Sequence, residues 1–173
     1  MKPREVISCC LEKLSEDGAR FDARFDDRGP FRDTPEAGGI PLESALSDFG
    51  PAAIDDLIPR VRVLAHQLDA AHRSGAVHGA LHPSKIFVTD EATSLVKGTI
   101  SSAPYIAPEV VDGGAPTPAS DQFSLAAITY EWLFGRRIDG PAYRTVDVKP
   151  MPGVDRIGLA KAFSRALAPA GLQ

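Results

Sequence analysis

The 173-residue sequence has few of the features that mark secreted or membrane proteins. It has only two cysteines, Cys9 and Cys10, and a disulfide between neighbours would be strained and could not join distant segments. No stretch approaches the ~20 apolar residues of a membrane helix, and the first residues lack the apolar run of a secretory signal. We therefore expect reduced cysteines, no membrane insertion and a cytoplasmic location.

The chain also lacks an excess of positive charge. It has 19 Lys and Arg against 23 Asp and Glu, which gives a formal net charge of -4. Affinity for a phosphate backbone depends on clustered Lys and Arg, so we exclude nucleic acid as a partner. His78 and His82 are close in sequence but have no cysteine or carboxylate cluster at ligand spacing beside them, so we predict no metal site.

Hydrophobic periodicity predicts an α+β chain that is mainly α. Helices are predicted over 5–14, 41–49, 59–73, 118 to 132 or 134, and 154–167. Two weak strands over 19–25 and 31–34 predict a small hairpin, and strands over 86–89 and 95–96 predict a second. Gly38-Gly39 is the best internal boundary, so we divide the chain into residues 1–37 and 38–173.

The helix that starts at Pro118 has the clearest boundaries. Thr117 is a favourable N-cap, Pro118 suits the first turn, and Asp121 places a carboxylate at the positive end of the helix dipole. Gly135 then supplies a stop. Its apolar residues surround much of the axis, so we predict that this helix is buried.

Several segments occur in a characteristic order: residues 68–72 with 74–78, 86–89, 105–109, 117–121 and 130–137. This order resembles the larger lobe of the protein kinases, especially the bacterial serine/threonine kinases. The resemblance extends from roughly residue 36 to residue 137. It implies a kinase-like C-lobe over 38–173, with a vestigial N-lobe of one helix and a hairpin over 1–37.

The same resemblance exposes departures in the catalytic loop. The family pattern His-Arg-Asp-Leu-Lys-Pro-x-Asn corresponds here to a loop that begins His78-Gly79 and ends at Lys85. Ala80 then replaces the aspartate base, His82 the lysine that touches the phosphate, and Lys85 the metal-binding asparagine. No Asp-Phe-Gly, glycine-rich loop or ATP lysine is found. The resemblance thus predicts an inactive pseudokinase that is not an enzyme, with no cofactor and no phosphoryl transfer, even after Ala80→Asp.

Three residues are structural in this interpretation: Asp121, Pro108 and Glu109. The family aspartate at the place of Asp121 accepts backbone N–H bonds from the catalytic loop, so we predict a buried Asp121 bonded near His78 and Gly79. The family glutamate at the place of Glu109 pairs with an arginine near the end of the domain. Three alternatives remain open for Glu109: a pair with Arg165, a pair with another cation, or no pair.

The retained structural residues and the altered chemical residues together predict a scaffold or regulatory module that binds a protein. An active kinase and a phosphopeptide-binding module are the candidate partners, and a homodimer is a further candidate. One apolar stripe is either core or an interaction face: Val6, Ile7, Cys10, Leu11 and Leu14. The alternatives are a small-ligand or nucleotide-binding enzyme of altered chemistry that uses His82 and Lys85 in the remnant cleft, or a fragment of a longer protein.

Overall fold

The computed structural model describes residues 31–35, 38–99, 102–138 and 146–168. The predicted helix over 5–14, with its apolar stripe, and the predicted strand over 19–25 lie outside these residues. The described helices are α1 Leu42–Phe49, α2 Ile54–Arg73, α3 Pro108–Val111, α4 Pro118–Phe134 and α5 Arg156–Ala166. The strands are β1 Ile40–Pro41, β2 Ile86–Val88 and β3 Thr93–Leu95, and a 3-10 turn spans Pro83–Lys85.

The three strands form one antiparallel sheet in the order β1-β2-β3. The hairpin of β2 and β3 is confirmed, with its second strand slightly earlier than predicted, and Val88 opposite Thr93. Arg60 of α2 fastens the hairpin turn, because its guanidinium donates to the carbonyl oxygens of Thr89 at 2.9 Å and Ala92 at 3.0 Å. The Ala92 carbonyl also accepts from the Thr89 amide at 3.0 Å, so Arg60 adds donors to a turn that the backbone already closes.

Helix α2 begins five residues before the predicted start, at Ile54, and Pro59 lies inside it. Asp55 and Asp56 occupy the first turn, where negative charge offsets the helix dipole. Pro59 has no backbone N–H, so the helix lacks one hydrogen bond at this position. Pro59 is exposed, so its ring projects into solvent. Burial of the apolar stripe outweighs this loss; the buried residues are Leu57, Leu64, Leu68 and Ala71.

Helix α4 has the predicted boundaries and is the centre of the core. Thr117 Oγ1 accepts from the Ser120 amide at 3.2 Å, and Ser120 Oγ accepts from the Thr117 amide at 2.8 Å, which forms a capping box. Gly135 ends the helix in the left-handed region, at φ 66°. Side chains are buried around most of its circumference, as predicted, and α2 and α5 pack against it.

The remaining differences are local. The predicted strand over 31–34 is reduced to one isolated parallel bridge between Arg32 and Val96. Helix α5 starts at Arg156 and not at Val154, because the Asp155 carboxylate accepts from the Ile157 amide at 3.1 Å and caps the helix there. None of the helices described here is long and apolar enough to cross a membrane.

Candidate functional site

The site is built around the buried carboxylate of Asp121, in the first turn of α4. Its side chain is 1% exposed. Its oxygens accept from the backbone amides of His78 and Gly79, each at 2.8 Å, and His72 Nε2 lies 2.9 Å from Oδ2. The hydrogen bonds predicted for Asp121 are therefore present. They join α4 to the loop over residues 78–85, and they satisfy a carboxylate that would otherwise be costly to bury.

The sequence did not predict the third partner, His72. It lies in the last turn of α2, immediately before the left-handed turn at Gly75. That turn brings the chain back past Asp121, so the end of α2 and the loop reach the same carboxylate.

His78 is buried within the loop and fully bonded. Its Nε2 lies 2.9 Å from the Val96 carbonyl oxygen, and its Nδ1 accepts from the Ala80 amide at 3.3 Å. The Phe31 ring meets it edge to face with centroids 4.7 Å apart. Burial lowers the pKa of His78 against the opposing effect of the Val96 carbonyl. The neutral ring with hydrogen on Nε2 fits both contacts.

Ala80 and Lys85 lie against the segment of residues 96–98, which follows β3. A Cβ at Gly98 would lie 2.9 Å from the Ala80 carbonyl oxygen and 3.3 Å from Lys85 Cγ, so only glycine allows the backbone to approach so closely. The Val96 amide donates to the Lys85 carbonyl at 3.0 Å. The two replaced loop positions therefore face residues 96–98 at close range.

His82 has a structural contact on each side. Its Nδ1 accepts from the Ser84 amide at 3.1 Å and caps the 3-10 turn. Its ring stands at 90° to the Tyr105 ring, with centroids 5.0 Å apart. Burial lowers the pKa of His82, which favours the neutral ring.

Tyr105 links this loop to the far end of α4. Its hydroxyl donates to the carboxylate of Glu131, and its carbonyl oxygen accepts from Ser124 Oγ at 2.6 Å. Arg137 Nε donates to Glu131 at 3.3 Å, and its guanidinium lies 5.8 Å from the Tyr105 ring centroid. Burial, with the Glu131 carboxylate, raises the pKa of Tyr105. Sequence reasoning missed Glu131, because no local pattern pairs residues 26 positions apart.

An open groove lies beside this cluster, and we call it the Tyr105 groove. Its volume is about 410 Å³. It runs between α1 and the end of α4, and Phe49, 78% exposed, is the last residue of α1. The lining residues are Glu43, Leu46, Ser47, Gly50, Pro51, Pro83, Tyr105, Glu131, Gly135 and Arg137.

Pro108 and Glu109 begin the short helix α3. The Glu109 carbonyl accepts from the Gly114 amide at 2.8 Å, which closes the turn after the helix. Glu109 Oε2 is buried and has no hydrogen-bond partner among the described residues. The arginine pairing implied by the resemblance is therefore not made at this oxygen within the described chain.

The described residues contain no group of three or more His, Cys, Asp and Glu side chains placed to hold a metal ion. The prediction that the chain takes no metal or cofactor stays a prediction, because residues 1–30 and four shorter segments are outside the description.

No protein-family model matches the chain. Among curated proteins it is 30% identical over 168 residues to the serine/threonine-protein kinase PknK of Mycobacterium tuberculosis, covering 80% of this chain and 15% of PknK. It is 29% identical to PknH of Mycobacterium bovis over 158 residues, covering 75% of this chain and 26% of PknH. With PknL of M. tuberculosis it shares 29% identity over 137 residues, covering 68% of this chain and 34% of PknL.

The solved structures agree with these relatives. The PknI kinase domain of M. tuberculosis superposes with a TM-score of 0.59 at 28% identity, covering 76% of this chain and 55% of the PknI chain. The chain spans between 15% and 34% of the length of the three curated relatives. The described fold is a kinase-like C-lobe, as predicted.

These comparisons contradict our prediction that the chain is not an enzyme. The relatives are named serine/threonine-protein kinases. The prediction inferred inactivity from the residues at Ala80, His82 and Lys85 and from motifs not found. Replacement of individual side chains does not exclude other groups from the same role. Neither inactivity nor the pseudokinase assignment follows, and we do not retain them.

Proposed function

Because this chain belongs to the bacterial serine/threonine protein kinase-like family, we propose that its C-lobe acts as a regulatory module that binds a protein partner. The observation that carries the proposal is the Tyr105 groove. One of its walls is held in place by the cluster of Tyr105, Glu131 and Arg137, so the groove is formed before a partner arrives. Preformed surfaces bind with a smaller loss of conformational entropy.

The lining of the Tyr105 groove favours a basic segment of the partner. Glu43 is exposed in the first turn of α1, and Glu131 lies across the groove. Arg137 is already engaged with Glu131, so the carboxylate of Glu43 is the group that remains to receive a Lys or Arg. The exposed ring of Phe49 offers an apolar contact next to the groove wall formed by Gly50 and Pro51.

This lining also separates the two candidate partners. A phosphorylated segment would bring about two negative charges next to Glu43 and Glu131, which disfavours it. A kinase, or another protein that presents a basic segment, fits the groove better. The homodimer through the stripe that includes Val6 and Leu14 stays a prediction, because that stripe lies outside the described residues.

The alternative, a small ligand or nucleotide held by His82 and Lys85, has less support. His82 is occupied by Ser84 and Tyr105, and Gly98 lies against Lys85. A thermal shift with ATP and Mg²⁺ tests it, because saturation at about 100 times Kd adds ~2.7 kcal/mol of stability. We also propose that the chain is located in the cytoplasm.

Fluorescence anisotropy tests the protein-binding role. The probes are labelled peptides that combine Lys or Arg with Leu, and the same peptides with Gln in place of the basic residues. We expect the basic peptides to bind. Glu43→Gln should lower their affinity about 5-fold, which corresponds to ~1 kcal/mol of binding free energy. Glu91→Gln, an equal charge change at the exposed hairpin turn, is the matched control. Equal affinity for the basic peptides and the Gln peptides would contradict the proposal.

A further inference from the structure

A second groove lies along the exposed face of α5, and we call it the α5 groove. Its volume is about 550 Å³, and it shares no residue with the Tyr105 groove. It is formed between α5 and the extended segment 146–148. The lining residues are Val146, Val148, Arg156, Ile157, Ala160, Lys161, Ser164 and Arg165.

Helix α5 is fixed from behind. Leu159, Phe163 and Ala166 are buried, and the Phe163 ring lies 5.5 Å from that of Tyr130 in α4. The groove-lining residues occupy the opposite face at helical spacing, with Ile157 69% exposed. A helix held by its buried face presents the other face in a constant position.

The other wall of the α5 groove is also anchored. Arg156 Nε donates to the Val148 carbonyl at 2.7 Å, and Tyr130 OH donates to the Asp147 carbonyl at 2.8 Å. Val148 is buried and forms part of the floor. Because these two carbonyls are already bonded, the segment is a poor template for an added β-strand. A side-chain contact with a helix suits this wall better.

The rim of the groove is positively charged, although the chain as a whole has a net charge of -4. Its three ionisable residues, Arg156, Lys161 and Arg165, are all basic. Asp147, on the adjacent wall, forms ion pairs with Arg136 at 2.9 Å and with Arg156 at 4.0 Å. Lys161 and Arg165 are one helical turn apart, about 6 Å along the axis.

We propose that the α5 groove binds an acidic amphipathic helix of a partner protein. Apolar side chains of that helix contact Val146, Ile157 and Ala160. Its carboxylates, spaced four residues apart, face Lys161 and Arg165, because their separation of about 6 Å matches that of the two cations. This is the helix-in-groove form of recognition, with charge fixing the direction and register of the partner.

The test uses the full chain and a labelled helical peptide of about 18 residues, with Leu at i, i+3, i+4 and i+7 and Glu at four-residue spacing. Three peptides serve as controls: one with Gln for Glu, one with the same composition in scrambled order, and a phosphopeptide without apolar residues. We expect only the acidic amphipathic peptide to bind tightly, and its affinity to fall as salt rises from about 50 to about 300 mM.

Two variants locate the site. Lys161→Glu should lower the affinity for the acidic peptide about 10-fold or more. Ile157→Asp should lower it by a similar factor, because it removes the apolar contact and adds repulsion. Arg62→Glu, an equal charge change on an exposed position of α2, should change affinity less than about 2-fold. Lys161 is exposed, so circular dichroism should show an unchanged fold.

Three results would overturn this inference. Equal binding of the scrambled or Gln peptide would show that no ordered acidic helix is recognised. Equal binding of the phosphopeptide would show a simple anion site. Equal weakening by Arg62→Glu and Lys161→Glu would show an effect of net charge alone. None of these results bears on the basic peptides and the Tyr105 groove.

Discussion

The two ends of α4 perform different tasks with similar chemistry. At the first end, Asp121 is buried and all of its contacts are within the chain. At the other end, Glu131 is also bonded within the chain, to Tyr105 and Arg137, but it borders an open groove. The closed end holds the loop over residues 78–85, and the open end presents a surface. The buried cluster without a cavity has a structural role, and our proposal assigns recognition to the cluster beside the groove.

The largest effect should come from the closed end. Asp121→Ala leaves two loop amides and a histidine without their acceptor, so we expect a loss of about 3 kcal/mol in the free energy of unfolding. Urea denaturation measures it. Asp121→Asn, which keeps one carbonyl oxygen, should lose less. A loss below about 1 kcal/mol for the alanine variant would show that the loop is held by other contacts.

The next effect concerns the open end. Tyr105→Phe removes the hydroxyl bonded to Glu131 and should cost about 1 kcal/mol of stability. It should also change the affinity for basic peptides, because Glu131 then keeps its bond to Arg137 but loses the one to Tyr105. Urea denaturation and anisotropy on the same sample separate the two results. Tyr130→Phe removes another hydroxyl bond of α4, to Asp147, and is the control that should leave basic-peptide binding unchanged.

A similar or slightly smaller loss is expected at the N-cap of α4. Thr117→Ala removes one half of the capping box and should cost about 1 kcal/mol. Thr99→Ala, at an exposed position outside the helices, should cost much less. If both variants unfold at the same urea concentration, the capping box contributes nothing measurable to α4.

The smallest effect is a pH dependence. Burial lowers the pKa of His78, so the unfolded chain takes up a proton at higher pH than the folded chain does. The contribution of the neutral ring is present above about pH 6.5 and is lost as the pH falls below it toward the pKa of the folded state. His82 has the same sign.

Urea denaturation between about pH 7 and about pH 5 should therefore show a decline in stability that is shallower in His78→Asn. Parallel pH profiles for wild type and His78→Asn would contradict the assignment of a neutral buried ring.

Local signals predicted α4 well, and contacts between distant segments were harder to predict. Thr117, Pro118 and Gly135 define its ends by caps and backbone conformation, which depend on neighbouring residues alone. Pro59 favours the first turn of a helix, and this preference alone placed the predicted start of α2 five residues too late. The Asp121 contacts came from the resemblance and not from periodicity.

Contacts between distant segments, including those at the open end of α4, could not have been predicted from local signals. Arg60 and the hairpin turn, Tyr105 and Glu131, and α5 with residues 146–148 meet only after the helices pack. No spacing along the chain indicates these contacts. The error about enzyme activity has a different origin, because inactivity was inferred from three loop residues and from motifs not found.

Hydrogen–deuterium exchange with and without a basic peptide tests the contrast between the two ends most directly. The account predicts slower exchange on binding at the amides of residues 43–51 and 131–137, which border the Tyr105 groove. It predicts no change at the amides of His78 and Gly79, which Asp121 already holds. New protection confined to residues 78–85, or no new protection at saturating peptide, would contradict it.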